Sequence, residues 1–318
     1  MENYTKIQKF LHDLVLKKSL INKSLFEIEK IFYLKKNKIN KEAHVFITGM
    51  PRSGTTSLLN FLYSSEQYAS LTYKNIPFVL SPNFSKLFNS KNILPIKRIH
   101  GDEIDYDLNS PESFDEIFFN NDDKFVKNEL INYLYLICLS KNKKKYLSKN
   151  NLNFSRINLI TEFFPNCQFL IPIREPLQHS YSLFKQHLHF IKIQKEDNFI
   201  LRYMNYLGHF EFGLNHKPWN KPIIFDNPND INYWLEQWYL FYENIFNRYQ
   251  YYKNCHFIVY EELTNSNYVK TIIEKLNSDG FQNINLKYFK NSNKLNLDIE
   301  YSKDIYEKTK ILYENFKN

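Results

Sequence analysis

Two short groups of residues in this chain carry the types and spacing needed to hold anions. The first is Gly49-Met-Pro-Arg-Ser-Gly-Thr-Thr56, between the apolar run Val45-Phe-Ile and the apolar-periodic stretch that begins at Leu58. The chain has only 6 glycines, and Gly49 and Gly54 bound this loop. Glycine lets a backbone turn sharply and approach a ligand closely. A turn of this kind ahead of a helix points free N–H groups and the positive end of the helix dipole at one spot. The second group is Arg174, directly after the apolar run Gln168-Phe-Leu-Ile-Pro-Ile173, with Pro176 opening a helix and Ser182 eight positions beyond the arginine. A guanidinium supplies a fork of donors and the serine hydroxyl adds another.

Gly49 and Gly54 have the spacing of a Walker loop, but Thr55 stands where that loop carries lysine. In nucleoside triphosphatases the lysine reaches the β- and γ-phosphates, so this loop suits a phosphate-like anion better than ATP hydrolysis. No His-Glu-x-x-His or comparable spacing of metal ligands is present, and no metal site is expected.

The elements that must position these groups follow from periodicity. Short apolar runs at 45–48, 70–72, 168–173 and 256–260 read as strands, separated by longer helical patterns. Strand and helix alternating in this way predict an α/β fold, three-layered, with a mainly parallel central sheet and extra helices. Ligands of such sheets sit beyond the carboxyl ends of the strands, which puts Arg174 on the same edge as the 49–56 loop. Residues 4–36 predict one or two amphipathic helices. The stretch 175–250 is helical, aromatic and broken once over about 215–230 by Pro218, Pro222 and Pro228. The basic run at 141–145 reads as a solvated loop between helices, and Ser110-Pro111-Glu112 as a helix start. The expected organisation is one domain over 1–318: an extension at 1–40, a core at 45–265 and a helical tail at 266–318.

With two anion-holding groups on one sheet edge, the chain resembles the sulfotransferases that use 3′-phosphoadenylyl sulfate (PAPS). In that family a strand–loop–helix of the form Pro-[Lys/Arg]-Ser-Gly-Thr-[Thr/Ser] holds the 5′-phosphosulfate; here it is Pro51, Arg52, Ser53, Gly54, Thr55 and Thr56. The pattern Arg-x-Pro-x-x-x-x-x-Ser holds the 3′-phosphate, and here it is Arg174, Pro176 and Ser182. Lys149-Asn-Asn-Leu is similar to the Lys-x-Pro element that precedes the second phosphate strand, and Val259-Tyr-Glu-Glu-Leu263 to a Tyr-Glu-Asp-Leu that ends a later one. The resemblance spans about 45–265. It implies a P-loop-like fold and in-line transfer of a sulfuryl group from PAPS to a hydroxyl or amine of a small-molecule, lipid or glycan acceptor. It also implies Arg52 and Lys149 as the cations at the reacting centre.

The chain departs from the family pattern at two places. Relatives carry a base glutamate about twenty residues past the loop's cation, but Leu71-Thr-Tyr-Lys-Asn-Ile-Pro77 holds no carboxylate. His100, with its near-neutral pKa, is the first substitute and Glu112 the second. Ser57 stands where many relatives place a tryptophan that stacks on adenine. Histidines 179, 187, 189, 209 and 216 read first as helix caps or satisfied core groups, with lining of an acceptor pocket by 186–189 and 208–213 as the alternative. The aromatic positions of 199–240 read first as core, with a lid over an apolar acceptor as the alternative.

Bulk properties bound the rest. A net charge of +8 suits anionic ligands. No zinc-finger spacing or aromatic–basic interleaving points to nucleic acid. Cys138, Cys167 and Cys255 are far apart and predict reduced, packed thiols. The lysine-laced residues 1–40 lack a signal-peptide core, and no run nears the roughly 20 apolar residues of a membrane helix, so a cytoplasmic protein without stable membrane insertion is expected. A P-loop small-molecule kinase and a non-catalytic nucleotide-binding protein remain open beside the transferase reading.

Overall fold

The computed structural model describes residues 19–34, 42–75, 78–88, 109–119, 126–207, 210–276, 285–289 and 299–317. The strands are β1 (Val45–Ile47), β2 (Tyr68–Ala69), β3 (Leu71–Thr72), β4 (Pro111–Glu112), β5 (Lys145–Lys149), β6 (Gln168–Ile173) and β7 (Cys255–Val259). Five of them form a sheet in the order β2-β5-β1-β6-β7, while β3 and β4 pair antiparallel on their own. The helices are α1 (Ser19–Tyr33), α2 (Thr55–Tyr63), α3 (Glu116–Phe119), α4 (Val126–Lys141), α5 (Ile157–Phe163), α6 (Pro176–Glu196), α7 (Asn198–Leu207), α8 (Ile231–Tyr249), α9 (Ser266–Lys275) and α10 (Lys303–Asn315). This is the mainly parallel α/β architecture the alternation predicts.

The chain divides into two compact units. The first comprises 1–47, 56–169 and 270–288; the second 48–55, 170–269 and 289–318. In the first, β1 pairs parallel with β5, Val45 opposite Leu147 and Ile47 opposite Lys149, and β5 pairs parallel with β2. Aromatic rings fill its core: Phe46 stacks on Phe169 at 5.6 Å and packs on Phe164 and Tyr146. His44 lies in this core, where its Nδ1 accepts the Tyr146 N–H at 2.9 Å. Burial pushes its imidazole down to about 4, so it is neutral at pH 7.

The second unit is built on α6, α8 and α10, which pack on one another. Tyr233, Trp234 and Trp238 of α8 are buried and belong to the core, as does Phe212, whereas Phe199, Phe210, Trp219, Phe225 and Tyr239 are half-buried. Glu175 caps α6 by accepting the Gln178 N–H at 2.8 Å, with Pro176 in the first turn, where its missing N–H costs nothing. The tyrosine hydroxyl of Tyr242 donates to Pro172 O at 3.0 Å and ties α8 to the end of β6.

Three local expectations are corrected. Pro111–Glu112 opens no helix; it is strand β4, paired with Leu71–Thr72, and α3 begins only at Glu116. The basic run 141–145 does not join two helices. It leads from α4 into β5, whose central residues Tyr146, Leu147 and Ser148 are buried. The predicted strand at 70–72 is β3 over Leu71–Thr72, and a further short strand, β2, precedes it across Ser70. The three cysteines are buried. Among the described residues no helix is long and apolar enough to cross a membrane.

Candidate active site

The 48–55 loop and the end of β6 belong to the same unit, and hydrogen bonds join them directly. Thr48 N–H donates to Leu170 O at 3.0 Å, continuing β1 alongside β6. Gly49 follows at φ +136, where a Cβ would lie 3.6 Å from Pro172 O. The loop then turns through Arg52, a non-glycine residue at φ 69. That left-handed conformation costs about 1–2 kcal/mol for an L-residue and marks a strained turn held by its surroundings. Ser53 is buried and its hydroxyl closes the turn on Met50 O at 2.7 Å. Gly54 sits at φ +102 beneath the Tyr260 ring, whose Cδ2 would be 2.3 Å from any Cβ placed there. Buried Thr55 then opens α2.

Two side chains of α6 hold this loop. His179 is fully buried, and its Nε2 lies 2.8 Å from Pro51 O. A carbonyl only accepts, so Nε2 carries the proton and donates it. Burial above all pushes this imidazole down to about 3; its bond to Pro51 opposes the shift and the charges of Arg174 and Arg52 add to it. Ser182 accepts from Arg52 Nε at 3.1 Å. The two anion-holding groups read from the sequence are therefore one hydrogen bond apart.

Arg174 stands at the end of β6 with its Cζ 5.7 Å from the Tyr260 ring centroid. Its Nε is buried and has no hydrogen-bond partner among the described residues. A charged donor left this way is costly unless an acceptor arrives from outside the chain. Guanidinium groups, hydroxyls, backbone N–H groups and a helix N-terminus are collected here and suit an anion, while the carboxylates of Glu175 and Glu261 lie beside Arg174 without pairing with it.

The remaining sequence candidates lie in the first unit. Thr56 is the second residue of α2, and Lys149 ends β5 in register with Ile47. Asn150 follows it, its N–H on Ile47 O at 3.0 Å and its side chain capping the next turn through the Leu152 N–H. Glu112 accepts the Tyr73 hydroxyl at 2.6 Å and the Ser113 N–H at 3.1 Å. Close by in sequence, buried Asp115 accepts from Ser113, Ser148 and Asn150, and burial raises its pKa. His100 and His209 lie outside the described residues. Buried His187 and half-buried His216 cluster with Trp234, the two imidazole rings 5.1 Å apart, and His216 meets the Tyr233 hydroxyl at 2.6 Å.

Residues 44–276 match the profile of the Sulfotransferase family. The chain belongs to the sulfotransferase family. Among solved structures, this sulfotransferase-family chain is similar to sulfotransferase STF1 of Mycobacterium tuberculosis H37Rv, with 13% identity, a TM-score of 0.53, and coverage of 95% of this chain and 83% of that one. Sulfotransferase STF9 of Mycobacterium avium covers 100% of this chain and 79% of its own at 10% identity, with a TM-score of 0.47. The first likeness carries the fold alone. Protein Ycf2 of Anthoceros angustus is 31% identical over 141 residues, 40% of this chain. The chain spans only 6% of that protein's length, and nothing about function follows from the match.

The sequence reading missed His179 as the residue that holds the loop, and Tyr260 as the ring that makes Gly54 obligatory. His179 was legible only as one histidine among several; its place five residues after Arg174, on the face of α6 shared with Ser182, was the available signal.

Proposed function

We propose that this chain transfers a sulfuryl group from PAPS to a hydroxyl or amine of a small-molecule, lipid or glycan acceptor. The observation that carries the reading is the Arg52–Ser182 hydrogen bond of 3.1 Å, which brings the loop and the second phosphate motif into one site. When bound, PAPS would supply an activated sulfuryl group on a phosphate leaving group, with a second phosphate at its 3′ position. The loop amides, Ser53, Thr55 and Thr56 hold the 5′ end, and Pro51 shapes the turn. Arg174 and Ser182 hold the 3′-phosphate, and the unpartnered Arg174 Nε fits that demand. Arg52 is the cation at the reacting centre, since its guanidinium is already fixed in a strained turn and need not reorganise as charge builds on the leaving oxygen. On the strength of the sequence, Lys149 adds a second cation and Glu112 or His100 takes the acceptor's proton. Protein cations supply the counter-charge, so the reading includes no metal ion.

The test is calorimetry with adenosine 3′,5′-bisphosphate, 5′-AMP and ATP in chelator. The bisphosphate is expected to bind best, and Arg174→Ala to weaken it by about tenfold to a hundredfold, as loss of charge-assisted hydrogen bonds implies. Transfer of label from radioactive PAPS to a cell extract should reveal the acceptor class and should fail with Arg52→Ala. Equal binding of bisphosphate and 5′-AMP would overturn the assignment of Arg174 and Ser182.

A further inference from the structure

Arg174 is flanked by two carboxylates that do not pair with it. Glu175 is its neighbour in the chain, and Glu261 is the second residue of the turn Tyr260–Thr264 that follows β7, one residue beyond the Tyr260 ring that Arg174 faces. Each of their four oxygens already accepts a hydrogen bond from another group. Glu261 Oε1 accepts the Glu175 N–H at 3.0 Å and its Oε2 accepts the Tyr313 hydroxyl at 2.6 Å. Glu175 Oε2 accepts the Gln178 N–H at 2.8 Å and its Oε1 accepts the Tyr306 hydroxyl at 3.2 Å. Both tyrosines come from α10, beyond the segment 44–276 that matches the family. Burial and the neighbouring carboxylate charges push both phenols up, so they remain protonated donors at neutral pH.

An arginine beside two carboxylates normally forms a salt bridge, which would neutralise the charge an incoming anion needs. Here the four carboxylate oxygens are taken by two backbone N–H groups and two phenols, while Arg174 Nε stays without a partner. We infer that α10 is part of the donor site: Tyr313 and Tyr306 hold Glu261 and Glu175 away from Arg174 and keep its guanidinium available for the 3′-phosphate of the donor. This rests on the reading of Arg174 given above. Glu261 and Tyr313 are positioning residues, acting through Arg174.

The test compares affinity for adenosine 3′,5′-bisphosphate with affinity for 5′-AMP, because only the first carries the phosphate that Arg174 would meet. Tyr313→Phe frees one oxygen of Glu261 to collapse onto Arg174, so the preference for bisphosphate is expected to fall about tenfold while 5′-AMP binding holds. In the double variant Tyr313→Phe/Glu261→Gln the amide oxygen still accepts the Glu175 N–H but brings no charge, and the preference should return. A merely structural role for Tyr313 gives no such rescue. An unchanged preference in Tyr313→Phe, or no recovery in the double variant, overturns the inference while leaving Arg174's role intact. A wild-type protein indifferent to the 3′-phosphate overturns the donor reading itself and this one with it. Tyr306→Phe, alone and with Glu175→Gln, repeats the measurement on the other carboxylate should Tyr313→Phe not fold.

Discussion

Gly54 shows how one position can be fixed twice. Its φ of +102 disfavours any side chain, and the Tyr260 ring occupies the volume a Cβ would need. The same ring carries the Arg174 guanidinium, its Cζ 5.7 Å from the centroid. Gly54→Ala is therefore expected to disturb both anion-holding groups together and to lower bisphosphate affinity at least about tenfold, with a stability loss of about 1–3 kcal/mol from the strained backbone. Calorimetry and a urea midpoint measure the two effects; full affinity in the variant would show that the ring and loop do not cooperate. Ser53→Ala makes a contrast: it removes one bond to Met50 O and leaves φ untouched, so its stability cost is expected near about 1 kcal/mol. At this scale the sequence was informative about charge and hydroxyl placement, since Arg52, Thr55, Arg174 and Ser182 declare their chemistry by type and spacing. It was silent on Tyr260 and His179, because a ring over a glycine and an imidazole under a carbonyl are facts of packing between segments distant in sequence.

Elements followed the same division. The boundaries of β6 were legible because an apolar run ends at a charged residue and a proline, and α6 begins where Glu175 and Pro176 supply a cap and a first turn. Strand β5 was not legible, because its ends are lysines and only Tyr146 and Leu147 are apolar; the parallel partners β1 and β2 decide its conformation. Pro111 misled for a related reason. It suits a helix's first turn, but it also suits an edge strand, and pairing with Leu71–Thr72 won. The segment 210–230 shows what tertiary structure does with a stretch that only looks like a loop. Glu236 of α8, 2% exposed, accepts the N–H groups of Ile223, Ile224 and Phe225, and Gln237 clamps Asn220 from both sides. Ile223 and Ile224 are left outward, 76% and 66% exposed, on a backbone pinned from below. Each hydrogen bond to a charged acceptor contributes about 1.5–3 kcal/mol. In Glu236→Ala the amides of 223–225 should then exchange hydrogen at least about tenfold faster, with bisphosphate affinity unchanged. Equal exchange in the two proteins would mean that other contacts hold the segment.

For the molecule as a whole, the buried histidines set how stability responds to acid. Burial pushes His179 down to about 3 and both His44 and His187 down to about 4, whereas an unfolded chain returns each to 6.5. Below pH 6.5 the unfolded state binds protons that the folded state refuses, so stability is full above that value and declines as the pH falls. Each neutral histidine contributes a slope of up to about 1.4 kcal/mol per pH unit across the window, which ends near pH 4 for His44 and His187 and near pH 3 for His179. Glu29 and Asp115 act with the opposite sign. Burial raises their pKa values, so the folded state takes up protons before the unfolded one and gains stability as the pH falls toward the ordinary carboxylate range. The decline should accordingly begin as the pH falls through 6.5 and reach its full slope about one pH unit lower, where the unfolded imidazoles are almost all protonated and the folded ones are not. It should soften further down, where the histidine windows close and these two acids offset part of it. Urea midpoints at pH 7.5, 6.5, 5.5 and 4.5 measure the course. His179→Gln isolates one contribution: its amide nitrogen is the group left to donate to Pro51 O, and the variant should lose stability at pH 7.5 yet show a shallower acid slope. A slope equal to that of the wild-type protein would mean that His179 takes up its proton in the folded state, its imidazolium still donating to Pro51 O.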